Sequence, residues 1–199
     1  MARMLDVRFA LTALTIGASM TTADNAPAQA LAGSGPPVPL LEQMTGQWQV
    51  KQTMWTGPDA PPVEQPPAMA KRRLAAGGGF IEEEMTLATG SENPFTRTSH
   101  INFNEIDGVF EYFSIDTRAP QQMHYQSQPV TSDFKGALQF RGGTFVAGQW
   151  GDRKNAAFGY RVELSPVRDG QQTMQLFLRL IAAGAQREFV AFKYEYQKR

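Results

Sequence analysis

From Gly46 onward, apolar and polar residues alternate in short runs, and glycine, proline or Asp-Gly pairs break each run. A period of two belongs to strands, because successive side chains leave a strand on opposite faces. In "QWQVKQTM", Trp48, Val50 and Met54 share one face. "FIEEEMTL" divides into Ile81, Met85 and Leu87 against Phe80, Glu82 and Glu84, with Glu83 on the apolar side. "RTSHINF" places Arg97 with Ile101 and Phe103, and "VFEYFSI" follows the hairpin signal Asp107-Gly108. In "AAFGYRVEL", Phe158, Tyr160, Val162 and Leu164 share a face. Further runs cover 121–128, 137–141, 144–150, 173–182 and 187–196, with turns expected at Gly142-Gly143, Asp169-Gly170 and Ala183-Gly184. Only "LLEQMTG", 40–46, has helical character, and Gly46 closes it. Some ten short strands at regular spacing predict an all-β fold, an antiparallel meander closed into a barrel of about 8–10 strands. A β-sandwich is the alternative.

The segment "RRLAAGGGFIEEEMTL", 72–87, raises a chemical question, because three glycines precede three glutamates. A phosphate-binding loop needs Lys-Ser/Thr after its glycines and a helix to receive them. Here Gly79 runs straight into the alternating Phe80-Ile81, so the glycines read as a turn between "AMAKRRL" and "FIEEEMTL". Proline is concentrated near the N-terminus, with nine of the 13 between Pro27 and Pro67. "GPDAPPVEQPPA", 57–68, reads as an extended loop, because proline cannot donate to a ladder.

Arg3 and Arg8 flank an apolar run, Phe9–Met20, and Ala28-Gln29-Ala30 has the small-x-small form that signal peptidase reads. The run is too short to span a bilayer, which needs about 20 residues. Residues 1–30 are therefore expected to be a signal peptide cut after Ala30, with Ala26-Pro27-Ala28 as a second possible point. A flexible linker would follow over 31–39 and one domain over 40–199. A periplasmic or secreted protein is implied, with no membrane anchor after cleavage. Formal net charge is zero, so nothing attracts nucleic acid. The chain has no cysteine, which removes disulfides, thiolate ligands and a cysteine nucleophile.

"LLEQMTGQWQV" resembles the entry of lipocalin-like barrels, where a helical turn leads into Gly-x-Trp on the first strand. "LAAGGGFIEEEM", "INFNEIDGVFEYFSIDT" and "FVAFKYEYQKR" are similar to stretches of the bacterial domain-of-unknown-function family 1579. Ser114, Thr117 and Asn102-Phe103-Asn104 depart from its pattern of Trp, Ser and Gly-Tyr-Asp. The resemblance implies a lipocalin-like barrel and no particular activity.

Glu83 and Arg97 are the polar side chains that share a face with apolar neighbours. If that face is interior, Glu83 must be paired, protonated or liganded. The pair reads as a buried or rim ion pair, or as a polar anchor for a mostly apolar ligand. The two histidines, His100 and His124, fall on the polar faces of their strands and have no metal-ligand spacing, so no metal, haem or other cofactor is expected. Trp48, Phe113, Phe158, Tyr160, Phe192 and Tyr194 are the aromatics expected to line a barrel. Trp48, Glu83, Arg97, Phe113, Tyr160 and Tyr194 are thus the candidate ligand-binding residues, and a small apolar molecule is the candidate partner. Two other functions stay open: a structural or protein-interaction module, and an acid/base enzyme built on Glu83 with Tyr160.

Overall fold

The computed structural model describes residues 38–75, 79–87, 94–131, 133–181 and 187–199. The expected signal peptide, nearly all of the linker and the Ala183-Gly184 turn lie outside them. One helix, α1 (Val38–Met44), precedes ten strands: β1 (Gly46–Met54), β2 (Val63–Ala75), β3 (Phe80–Leu87), β4 (Thr96–Asn104), β5 (Val109–Asp116), β6 (Ala119–Ser127), β7 (Leu138–Trp150), β8 (Arg153–Leu164), β9 (Gln171–Leu180) and β10 (Phe189–Lys198). Each strand pairs antiparallel with its chain neighbours, and β1 pairs with β10 from Trp48↔Lys198 to Met54↔Phe192. The sheet is therefore a closed ten-stranded barrel, and the sandwich is excluded.

The hairpins alternate between two ends. The β2–β3, β4–β5, β6–β7 and β8–β9 connections share one end with α1; the other five hairpins share the opposite end. At the first end α1 buries Leu40, Leu41 and Met44. A helix of seven residues is too short to hold itself together. Its end is tied instead by Trp48, whose Nε1 donates to the Met44 carbonyl at 3.0 Å. Gly46, at φ 119°, then turns the chain into β1. Behind this plug Trp48, Ile81, Phe110, Leu138, Phe140 and Leu164 are almost fully buried and belong to one cluster. We call this the closed end and the opposite one the open end.

Two expectations change. Residues 137–141 and 144–150 are one strand, β7, and Gly142-Gly143 lies inside it rather than at a turn. A Cβ on Gly142 would come within 1.7 Å of the Tyr160 ring, so the glycine makes room for an aromatic on β8. The second concerns the proline stretch, since β2 begins at Val63 and includes Pro66 and Pro67. Over 63–67 the strand pairs with β1 alone, and pairing with β3 begins only at Ala68↔Leu87. The prolines also sit where the β1–β2 register shifts between Val50 and Gln52. Prolines are tolerated at such a one-sided, bulged position because no ladder bond depends on their nitrogens.

Candidate functional site

β3 alternates as the sequence predicts, so Glu83 points inward with Ile81 and Met85 and is buried. Its neighbours fix what it does. Arg72 on β2 lies directly opposite Glu83 in the ladder, and its Nε donates to Glu83 Oε2 at 2.7 Å. Arg97 on β4 donates through Nη2 to Glu83 Oε1 at 2.7 Å and to the Tyr196 hydroxyl at 2.7 Å. Ser99 Oγ donates to Glu83 Oε1 at 3.2 Å. Arg72 also donates through Nη1 to Gln172 Oε1, and its guanidinium lies 4.1 Å from the Tyr196 ring centroid and 5.3 Å from that of Trp48. Arg97 lies 4.5 Å from the Tyr194 ring centroid. The cations thus gain ring faces as well as a carboxylate in place of water.

Burial by itself raises the Glu83 pKa, but the charges of Arg72 and Arg97 and their hydrogen bonds outweigh it and hold the carboxyl at about 2. A carboxylate this acidic, with both oxygens occupied, is a poor proton acceptor at neutral pH. Glu83 therefore lacks the features of a general base. Glu82 pairs with Arg73 at 2.8 Å on the outer surface, and Glu84 is exposed. Strand parity thus sends Glu83 inward and leaves Glu82 and Glu84 on the outer face.

Above this cluster the barrel is hollow. A cavity of about 640 Å³ occupies the open end. Arg97, Tyr112, Tyr125, Met174, Phe192 and Tyr194 contribute to its walls, and Thr56, Arg118 and Gly151 from the open-end hairpins reach its rim. Its volume falls within the range of small-molecule sites, about 300–1,000 Å³. Burial raises the pKa of the Tyr112 and Tyr125 phenols, so both keep their protons and can donate. At the rim Arg118 is paired with a carboxylate. It grips Asp116 through Nε at 3.0 Å and Nη2 at 2.6 Å and lies 3.6 Å from the Phe95 ring centroid.

One seam of the wall is short. β6 and β7 pair only from Tyr125↔Gly142 to Ser127↔Phe140. Toward the open end a side chain links them instead, Gln121 Nε2 donating to the Val146 carbonyl at 2.9 Å.

Of the six residues expected to bind a ligand, Arg97 and Tyr194 line the cavity. Glu83 lies beneath Arg97 and reaches the cavity only through it. Trp48 is in the closed end, under Arg72. Tyr160 is half-buried, packed edge-on against Tyr125 with centroids 4.8 Å apart, and its hydroxyl donates to the His124 carbonyl at 3.4 Å. It braces the β6–β7 seam rather than lining the cavity. Phe113 corrects the expectation for the aromatics, because it lies on the outer face, where it meets His100 at 5.8 Å between centroids. Its parity on β5 is opposite to that of the buried Tyr112 and Ser114.

Arg72, Gln172 and Tyr196 did not emerge as candidates from the sequence. Arg72 and Tyr196 carried a usable signal, since Arg72 has the parity of Ala68 and Ala70, and Tyr196 that of Phe192 and Tyr194. Gln172 is a polar residue at a strand start with no such mark.

Residues 35–195 match a family described as "Protein of unknown function (DUF1579)". No curated protein matches the chain.

Proposed function

The chain belongs to the DUF1579 family, and from that premise we propose that it is an exported barrel protein that binds one small, largely apolar molecule in its open end. The observation that carries this reading is the contrast between a packed closed end and a cavity of about 640 Å³ walled by aromatic and methionine side chains. Interiors are normally filled to the density of organic crystals, so a void of this size in an otherwise close-packed barrel is a feature to be explained. The N-terminal leader supports export to the periplasm or beyond. Among the described residues no comparable feature favours the interaction-module reading. The exposed large apolar residues, Val63, Ile106, Ile115, Val146 and Ile181, are spread over different strands and turns, and scattered single residues of this kind are ordinary.

The test is uptake of a neutral, environment-sensitive apolar dye by protein recovered from a periplasm. Saturable one-to-one uptake is expected. Ala147→Trp should abolish it, because Ala147 lines the cavity and packs in the smaller cluster with Phe158 and Leu178, away from the ion pairs. Equal uptake by a folded Ala147→Trp protein would refute the reading. The intact mass of the same preparation is expected to show a chain beginning at Leu31, and accumulation only of the full chain in the cytoplasm would refute export.

A further inference from the structure

The charges inside the barrel do not balance. Among the described residues Arg72, Glu83 and Arg97 are the buried charged ones, so two guanidinium groups face one carboxylate. The rim does not correct this, since Arg118 and Asp116 cancel each other. One positive charge is left over in surroundings where burying an unpaired charge is costly.

The two arginines do not share the surplus equally. Arg72 has Glu83 at Nε, Gln172 at Nη1, and two ring faces beside it. Both side-chain hydrogen bonds of Arg97 run through Nη2. Its Nε is buried and has no hydrogen-bond partner. Arg97 is also the member of the cluster that lines the cavity. An arginine with donors to spare, set in the floor of an apolar chamber, has the chemistry of a receptor for an anion.

Resting on the binding reading above, we infer that the molecule bound in this cavity is an amphipathic monoanion, a single carboxylate head seated on Arg97 with an apolar body between the aromatic walls. A monoanion neutralises the surplus charge, whereas a dianion would reverse it. Tyr112 and Tyr194 belong to the same wall. Glu83 acts as a positioning residue. It fixes Arg97 through Nη2, the nitrogen that also meets the Tyr196 hydroxyl.

The test compares dodecanoate with its methyl ester, which has the same chain but no charge, by calorimetry on the protein freed of bound material. Wild-type protein should bind the carboxylate about tenfold or more tightly than the ester, as expected for a hydrogen bond to a charged group. Arg97→Met should lose that preference. The substitution leaves the Arg72–Glu83 pair in place, and folding is verified by circular dichroism. Because the wild-type comparison stands by itself, a variant that fails to fold does not remove the test. Ester binding equal to or tighter than carboxylate binding overturns the inference and leaves the apolar-binder reading intact, as does a preference that survives in folded Arg97→Met. Binding of neither compound, together with no dye uptake, overturns both.

Discussion

The closed and open ends of the barrel are made from the same ten strands, yet only the closed end is solid. At the closed end α1 lays Leu41 and Met44 over the strand ends, Trp48 ties the helix down, and large side chains fill the space. At the open end none of the described residues is helical, and the hairpins carry residues such as Thr56, Arg118 and Gly151 that ring a cavity. Between them lies the Arg72–Glu83–Arg97 cluster, with its arginines facing in different directions. Arg72 stacks toward Trp48 and Tyr196, and Arg97 toward the cavity. The comparison teaches that one end serves stability and the other is free to serve binding.

The strongest way to break that division is at the cluster. Glu83→Gln removes the carboxylate that neutralises one of two buried guanidinium groups, and should lower stability by about 3–5 kcal/mol. Glu82→Gln, one residue away on the outer face, should cost about 1 kcal/mol or less. Urea unfolding of the two variants side by side tests this, and equal midpoints would deny the cluster its role.

The next comparison is between two tryptophans. Trp48→Ala empties the packed end and should cost about 3–5 kcal/mol, transfer and cavity terms together. Trp150 is half-buried and faces existing space. Trp150→Ala should cost about 1–2 kcal/mol, close to the transfer term alone. The same unfolding curves measure both, and a larger loss for Trp150 would reverse the assignment of the two ends.

A third test titrates the cluster without mutation. Glu83 has a folded pKa of about 2 against an ordinary 4.5, a depressed value. Its contribution is therefore present above the ordinary pKa and is lost as pH falls from about 4.5 to about 2. The linked stability is on the order of 3 kcal/mol at full protonation. Unfolding midpoints over that range should fall more steeply for wild type than for Glu83→Gln. Parallel pH profiles would show that other carboxylates govern the acid response.

Much of the arrangement was legible beforehand, for reasons that particular residues show. The inward direction of Glu83 and Arg97 followed from parity, which is local and unambiguous in a strand with one buried face. The Asp169-Gly170 turn was equally local, and both residues adopt positive φ, 51° and 70°. Gly142-Gly143 misled because a glycine pair signals a turn by local preference, whereas here the missing side chain answers a ring on the neighbouring strand. Phe113 misled because aromatic character outweighed parity in selecting it.

By itself the sequence determined the all-β class, the faces of the strands and the presence of a carboxylate and an arginine inside, since each depends on a repeat of two residues. Only the tertiary structure decided that Arg72 joins them, that Trp48 plugs one end while Tyr194 lines the other, and that one positive charge remains beside a cavity. Those facts depend on which strands become neighbours and at what register. Arg72 meets Glu83 through a hairpin, but it meets Gln172 only because closure brings distant strands across the barrel, and no local pattern encodes that distance.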